Sequence, residues 1–324
     1  MPDFTTHDAN STAMIPVTAL LPVKNGLKYI SRARIQVAST CRDKDEILII
    51  DDNSTDGTFA ELGKWASQDH RVRILRNSGD GLVSALNLGI RESTNEWIAR
   101  FDVDDTYNFE RIQKQSSMIK PNVVAVFSDY EVLRPSGKSL GIIPSPVDPD
   151  AVDVSLVSSR RTPHPSVLFS KEAVISVGGY LPQDFPAEDL SLWLRLSRAG
   201  LMKSIPEVLL GYELGLNSVS GQQRDLIQRK TSSLIRDIGI HAPSLNSAHQ
   251  RFHEILDSYS HLKFGFERQI LFTQELSKAL KIAGKSTRTS PMRSLIRRLE
   301  LDLIRAGMNI SAETMKRRLY RKLG

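Results

Sequence analysis

Asp102, Asp104 and Asp105 place three carboxylates within four positions, directly after the run Glu96-Trp97-Ile98-Ala99-Arg100-Phe101. Carboxylates gathered into one pocket repel one another, so a fold that aims them together needs a neutralising cation, usually a divalent metal. Along an extended chain alternate side chains share a face, which predicts that Asp102 and Asp104 point one way and Val103 points into the protein. Two hard oxygen ligands of this kind suit Mg²⁺ or Mn²⁺, ions that leave coordination positions open for substrate phosphates. The competing reading is a solvated acidic turn capping a helix over residues 108–118. The segment alone does not choose between them.

Punctuation and apolar runs show the elements that must position these acids. Residues 17–21 are apolar and end at Pro22, and Lys24-Asn25-Gly26 carries the Asn-Gly of a turn. Leu27, Ile30, Ala33, Ile35 and Val37 then make an apolar helix face. A second run, residues 46–50, is continuous, as in strands covered on both faces. It stops at Asp51-Asp52-Asn53-Ser54-Thr55-Asp56-Gly57-Thr58, rich in helix-capping side chains. A helix over 58–68, a strand over 71–76, a helix opened by Gly79 to Gly81 and a strand over 96–101 follow. Strands alternating with helices imply right-handed crossovers and a mainly parallel sheet. Ligands bind such sheets beyond the carboxyl ends of the strands, where Pro22 to Asn25, Asp51-Asp52, Asn77 to Gly81 and Asp102 to Asp105 all fall. Further on, a hairpin is expected over 123–133 and 138–143, a helix over 148–159 and a strand over 166–170. A tight turn at Gly178-Gly179 and an amphipathic helix over 188–199 complete this part, and residues 222–282 read as helices.

Composition narrows the class. A chain of 324 residues with 40% hydrophobic and 25% charged residues can bury a sizeable core and is not disordered throughout. The single cysteine, Cys41, excludes an internal disulfide and fits a reducing compartment. Residues 1–16 lack the basic start and apolar run of a secretory signal, and no stretch approaches the roughly 20 apolar residues of a spanning helix. A cytoplasmic protein is expected. The net charge of +6 is unevenly placed: residues 285–324 hold eleven Lys or Arg against three acids, a balance of +8, so the remainder is slightly acidic.

Glu46 to Thr58, the Asp-x-Asp-Asp at 102–105 and Ala187-Glu188-Asp189-Leu190-Ser191-Leu192-Trp193-Leu194-Arg195 resemble, in order, the motifs of the inverting family 2 glycosyltransferases of the GT-A fold. Asn77-x-Gly79 through Ala85-Leu86-Asn87-Leu88-Gly89, Arg111 with Gln115, and His164-Pro165-Ser166 through Gly178-Gly179-Tyr180 extend the likeness over residues 16–215. The resemblance implies a nucleotide-diphosphate sugar donor, with Asp104 as metal ligand and Asp102 assisting it or orienting the donor ribose. It implies that Asp52 reads a nucleobase edge, since a carboxylate accepts from a donor such as the imino N–H of uracil. Asp51 either shares that task or caps the next helix through Thr55 or Thr58, and Asp56 is structural. Pro22, Asn25, Asn77, Gly79 and Val103 would complete the nucleotide-sugar pocket, Pro22 and Asn25 having a turn-forming role as the alternative. Asp189 resembles the general base that deprotonates the acceptor hydroxyl, with Glu188 orienting it; the alternative is a helix start whose acids suit the dipole. Asp105 is either part of the site or the partner of the following helix near Arg111. His164 reaches the metal or diphosphate, or is a hydrogen-bonded structural residue. Trp193 is expected in the core, and Arg195 paired with acids. Where many relatives carry an arginine before the asparagine of the 85–89 segment, this chain has Leu86, which moves phosphate contacts to Arg100 or Arg224.

Two other enzyme classes compete. Gly79-Asp80-Gly81-Leu82-Val83-Ser84 after a strand, with Asp102 ending the next, mimics a dinucleotide-binding fingerprint of an NAD-dependent Rossmann oxidoreductase, although Ser84 stands at the third glycine. A nucleotidyltransferase would need a Gly-rich basic loop after the first strand, which is not present. The domains expected are an N-terminal extension (1–15), the GT-A domain (16–215), a helical extension (216–284) and a basic amphipathic tail (285–324). The tail can lie on anionic lipid or pack on a partner or its own catalytic domain. The partners expected are a UDP-linked sugar and a glycan or glycolipid acceptor, in surface polysaccharide assembly, with no nucleic acid.

Overall fold

The computed structural model describes residues 15–79, 81–143, 145 and 162–214, with a few positions between 223 and 234. The expected helix over 148–159, nearly all of the helical extension and the whole basic tail lie outside these residues.

The first half alternates as its sequence predicts: β1 (Val17–Val23), α1 (Leu27–Thr40), β2 (Glu46–Asp51), α2 (Thr58–Ala66), β3 (Val72–Arg76), α3 (Gly81–Glu92) and β4 (Trp97–Arg100). β1 pairs in parallel with β2 and with β4, and β2 with β3. Past β4 come β5 (Thr106–Tyr107), α4 (Arg111–Ser116) and the expected hairpin of β6 (Val123–Leu133) and β7 (Ser139–Ile143). β8 (Leu168–Ser170), α5 (Lys171–Ser176), α6 (Glu188–Leu196) and β9 (Leu201–Glu213) follow. Among the described residues these strands form one nine-stranded sheet in the order β3-β2-β1-β4-β8-β6-β9-β5, with β7 added to β6. β8 runs antiparallel to β4 and β6, whereas β9 runs parallel to β6 and antiparallel to β5. The sheet is therefore mixed.

Residues alternating along β1 and β2 supply both faces. Leu20, Leu48 and Ile50 pack with Val83, Leu86 and Ile90 of α3 and with Trp193 and Phe127, while Leu21, Ile47 and Ile49 pack with Ile30, Val37, Leu62 and Trp65 under α1 and α2. This is why β1, β2 and β4 read as unbroken apolar runs. Gly89 lets α3 lie against β1: a Cβ there would sit 2.2 Å from Leu20 Cδ1. Two expectations need correction. Ile35 and Leu27 are 68% and 42% exposed, so the buried face of α1 is Ile30, Ala33, Val37 and Thr40. The helix over 188–199 ends at Leu196 and is buried nearly all round, Ser191 and Leu192 included.

Candidate active site

β1, β2 and β4 are adjacent and parallel, so the loops leaving them share one edge of the sheet. The register sets Val23 beside Asp51 and Leu20 beside Arg100. With neighbouring strands about 4.8 Å apart, Asp52 and Asp102 leave the sheet on either side of the β1 end, roughly 10 Å from one another.

On the β2 side, Asp52 is buried and heavily engaged. Its Oδ1 accepts from Asn77 Nδ2 at 2.7 Å and from the Gly81 amide at 3.2 Å, and Lys24 Nζ lies 3.2 Å from Oδ2. Asn77 Oδ1 in turn accepts from the Gly79 amide (3.2 Å) and from Ser84 Oγ (3.0 Å). A side chain at Gly79 would strike Ser84, which leaves that loop folded onto Asn77. Asp51 sits on the opposite face of the strand, fully buried; its oxygens receive no hydrogen bond from the described residues and Arg76 Nε stands 3.8 Å away. It does not cap α2. The N-cap there is Gly57, and Asp56 just before it accepts from the amides of Thr58 (3.0 Å) and Leu27 (3.2 Å), joining this turn to the start of α1. Asn25, in the left-handed region at φ 51°, ties the first two loops together: Oδ1 accepts from the Thr55 amide at 2.8 Å, and its own amide donates to Ser54 Oγ at 2.9 Å. Pro22 is inside β1.

Residues 101–105 are not extended, contrary to expectation. A turn at Val103-Asp104 separates β4 from β5, and it gathers Asp102, Asp104 and Asp105 so that one oxygen of each lies within 4.8 Å of the others. Val103 is half-buried against the apolar layer under α1. The crowding shows in the proton affinities. Burial first and Asp102 second push Asp104 up to about 6, and burial with both neighbours pushes Asp105 well above the carboxylate range. Asp105 Oδ1 accepts from the Glu213 amide of β9 at 2.9 Å, so its partner is a strand rather than the helix start, while Oδ2 lacks a partner among the described residues. Tyr107 OH receives the Asp102 amide at 2.6 Å and steadies the turn.

The third acid group opens α6. Glu188 is buried with Oε2 unpartnered among the described residues; burial first, then Asp189, raises it to about 7. Asp102 raises it further and Arg100 lowers it, so the acids after β4 lie within electrostatic reach of the acids of α6. Asp189 is partly exposed, and its Oδ1 accepts from the Leu190 amide at 2.7 Å.

Several residues around the site are scaffold. Buried Arg111 donates to Gln115 Oε1 and to the carbonyls of Arg100 and Val167, and stacks on Phe101 and Tyr107. Gln115 donates to the carbonyls of Val126 and Ser166, which pins β6 to the turn that precedes β8. Asn87 exchanges two bonds with the Tyr180 backbone, at 2.8 and 2.9 Å. His164 Nε2 lies 2.6 Å from Tyr180 OH, and burial, then Arg100, holds its proton affinity well below the usual range, so it is a neutral hydrogen-bonding residue. Trp193 is core, edge-on to Phe127. Arg195 bonds the Val177 carbonyl rather than an acid. Sequence reasoning did not single out Tyr107, Arg32 or Glu213. Arg32 pairs with Glu213 at 2.8 Å and also bonds the Asp104 carbonyl, closing the acidic turn from behind. The only signal for such a bracket was an arginine on an otherwise ordinary helix. Arg224 lies outside the described residues.

Comparison with known proteins bears on the family and the fold. The family model described as "Glycosyl transferase family 2" matches residues 18–132. A Haemophilus influenzae protein described as an uncharacterized glycosyltransferase is 30% identical over 216 residues, covering 65% of this chain and 79% of that protein. The amylovoran biosynthesis glycosyltransferase AmsE of Erwinia amylovora is 30% identical over 183 residues, covering 54% and 67% respectively. The match spans only 28%, 32% and 32% of the length of three rickettsial glycosyltransferases. Among solved structures, S. aureus TarS (residues 1–349) in complex with UDP-GlcNAc has a TM-score of 0.58 at 14% identity, over 90% of this chain and 89% of that one. A Pyrobaculum calidifontis mannosyltransferase in complex with GDP-Man and Mn²⁺ has a TM-score of 0.51 at 17% identity, over 91% and 86%. At these identities the structural likeness is one of fold.

Proposed function

From the premise that the chain belongs to glycosyl transferase family 2 and has a GT-A type fold, we propose that it moves a sugar from a nucleotide-diphosphate donor, UDP-linked, to an acceptor hydroxyl with inversion. The observation that carries this reading is the cluster of Asp102, Asp104 and Asp105 after β4, with buried Glu188 at the start of α6 within electrostatic reach of Asp102 and Arg100. The residues present fit a divalent cation: three carboxylates offer hard oxygens within 4.8 Å, and one buried Asp105 oxygen has no hydrogen-bond partner among the described residues. Asp104 with Asp102 would hold Mn²⁺ or Mg²⁺, which when bound neutralises the charge that builds on the leaving diphosphate.

The chain's own residues do the rest. Asp52, held by Asn77 and Lys24, accepts from the nucleobase edge, and Pro22 near the end of β1, with the loops carrying Asn25 and Gly79, surrounds base and ribose. Asp189 takes the acceptor proton as the hydroxyl attacks the anomeric carbon from the side opposite the departing diphosphate. Direct displacement at that carbon inverts it. Buried Glu188 orients Asp189. An oxidoreductase is not favoured, because it leaves Asp104, Asp105 and Asp189 without a task, and a nucleotidyltransferase is not favoured, because no Gly-rich basic loop follows the first strand.

The relative named for amylovoran biosynthesis supports a place in polysaccharide assembly, on a glycan or lipid-linked acceptor. We place the enzyme in the cytoplasm, with domain limits at 16–215 and the basic tail resting on anionic membrane. No described helix is long and apolar enough to cross a membrane. Asp189→Asn is expected to leave UDP-sugar binding in Mn²⁺, measured by calorimetry with and without EDTA, within about twofold of wild type while abolishing transfer. Retained transfer would reassign the base.

A further inference from the structure

Two buried arginines lie side by side near the acid cluster, and they are held in different ways. Arg111 has the partners of a structural arginine: three hydrogen bonds to Gln115, Arg100 and Val167, and two aromatic faces. Arg100, 3% exposed, has a single charged contact among the described residues, an ion pair of Nη1 with Asp102 Oδ2 at 2.5 Å, and neither Nη1 nor Nε meets hydrogen-bond geometry with a described residue. A buried guanidinium held only by a carboxylate is costly unless the pair has another task. Its surroundings suggest one. The charge of Arg100 lowers the proton affinity of Asp104, Asp105, Glu188, His164 and Tyr180, so it lies within electrostatic reach of both the β4 acids and Glu188 of α6.

We propose that Arg100 is a positioning residue that serves as the resident counter-ion of Asp102: it fixes that carboxylate for the divalent cation and moderates the affinity of the acid cluster for it. This rests on the metal reading above. A fixed positive charge beside a ligand opposes an incoming cation, yet the same contact keeps Asp102 in one rotamer, so its removal has opposite effects on binding and on turnover.

The test is Mn²⁺ binding to the full chain by calorimetry, without donor, beside kcat and KM for UDP-sugar at saturating Mn²⁺. Arg100→Gln is expected to bind Mn²⁺ roughly tenfold more tightly and to lose about tenfold in kcat. Arg100→Lys, which keeps the charge, is expected to stay within about twofold of the wild-type Mn²⁺ affinity. A structural defect would weaken both quantities together, so an Arg100→Gln protein that binds Mn²⁺ no more tightly than wild type overturns the proposal. If that variant does not fold, the Arg100 Nε–H resonance of the wild type is followed during Mg²⁺ titration: a saturable shift supports the proposal, and an unmoved resonance overturns it. A wild type that binds neither ion removes the metal reading and this inference together, whereas wild-type binding with an unresponsive Arg100 removes only the inference.

Discussion

Glu188 makes a measurable claim on stability. Burial, then the neighbouring Asp189, raises its carboxyl from an ordinary 4.5 to about 7. Between those values the folded chain holds a proton that the unfolded chain has released, so this group makes stability fall as pH rises through the window. Below about pH 4.5 both states are protonated and the penalty is absent; above about pH 7 it is complete. At ~1.36 kcal/mol per pH unit, the rise corresponds to about 3 kcal/mol. Glu188→Gln keeps the shape of the protonated acid and removes the titration. The variant is expected to match wild type at pH 4 and to be more stable by about 3 kcal/mol at pH 8, roughly 6–12 °C in Tm for a domain of this size. Asp104 titrates in an overlapping range, being raised to about 6, but it is common to both proteins and cancels in the difference. Thermal unfolding followed by circular dichroism across pH 4–8.5 measures the curve. A difference that stays constant with pH would refute the reasoning, because it would come from packing and not from charge. The same variant is expected to lose transfer activity, as a buried residue kept ionisable at a cost to stability should.

Asn77→Ala removes the 2.7 Å bond to Asp52 and frees that carboxylate to turn; UDP affinity by calorimetry is expected to fall about tenfold, and unchanged affinity would mean that Lys24 and Gly81 suffice. Arg111→Met leaves the carbonyls of Arg100 and Val167 without their buried donor and is expected to cost about 3 kcal/mol in urea unfolding. Gly89→Ala drives a methyl against Leu20 at 2.2 Å and is expected to destabilise by about 1–3 kcal/mol, whereas Gly63→Ala, with nothing within 4 Å, is expected to stabilise by up to about 1 kcal/mol. Equal effects at the two glycines would contradict the packing of α3 on β1.

The parts of this protein that could be read in advance are those whose physics is local. β1, β2 and β4 are short unbroken apolar runs because each is covered on two faces, and the acids after them stand out because polar loops end apolar strands. β9 was illegible: Lys203, Pro206 and Glu207 interrupt its pattern, and it exists because β6 and β5 pair with it from positions distant in sequence. Asp105 illustrates the same limit at the level of one side chain. Its neighbours in sequence suggested a helix start, but its partner is the Glu213 amide, 108 residues on, and no nearby residue announces it. The separation of Asp51 from Asp52 was, by contrast, available from strand alternation alone. The residue after a strand turns to the opposite face from the last residue within it, so adjacent aspartates take on different surroundings, one facing Arg76 under α2 and the other Asn77 at the site. Arg100 lies between these cases. Alternation allows a charged last residue in a buried strand only if an opposite charge meets it, and the aspartate two positions on, at the same edge, is the one that does. The acid cluster and its counter-ion therefore belong to one short segment, and what the distant β9 and α6 add is a strand amide for Asp105 and a buried acid, Glu188, within electrostatic reach of Arg100.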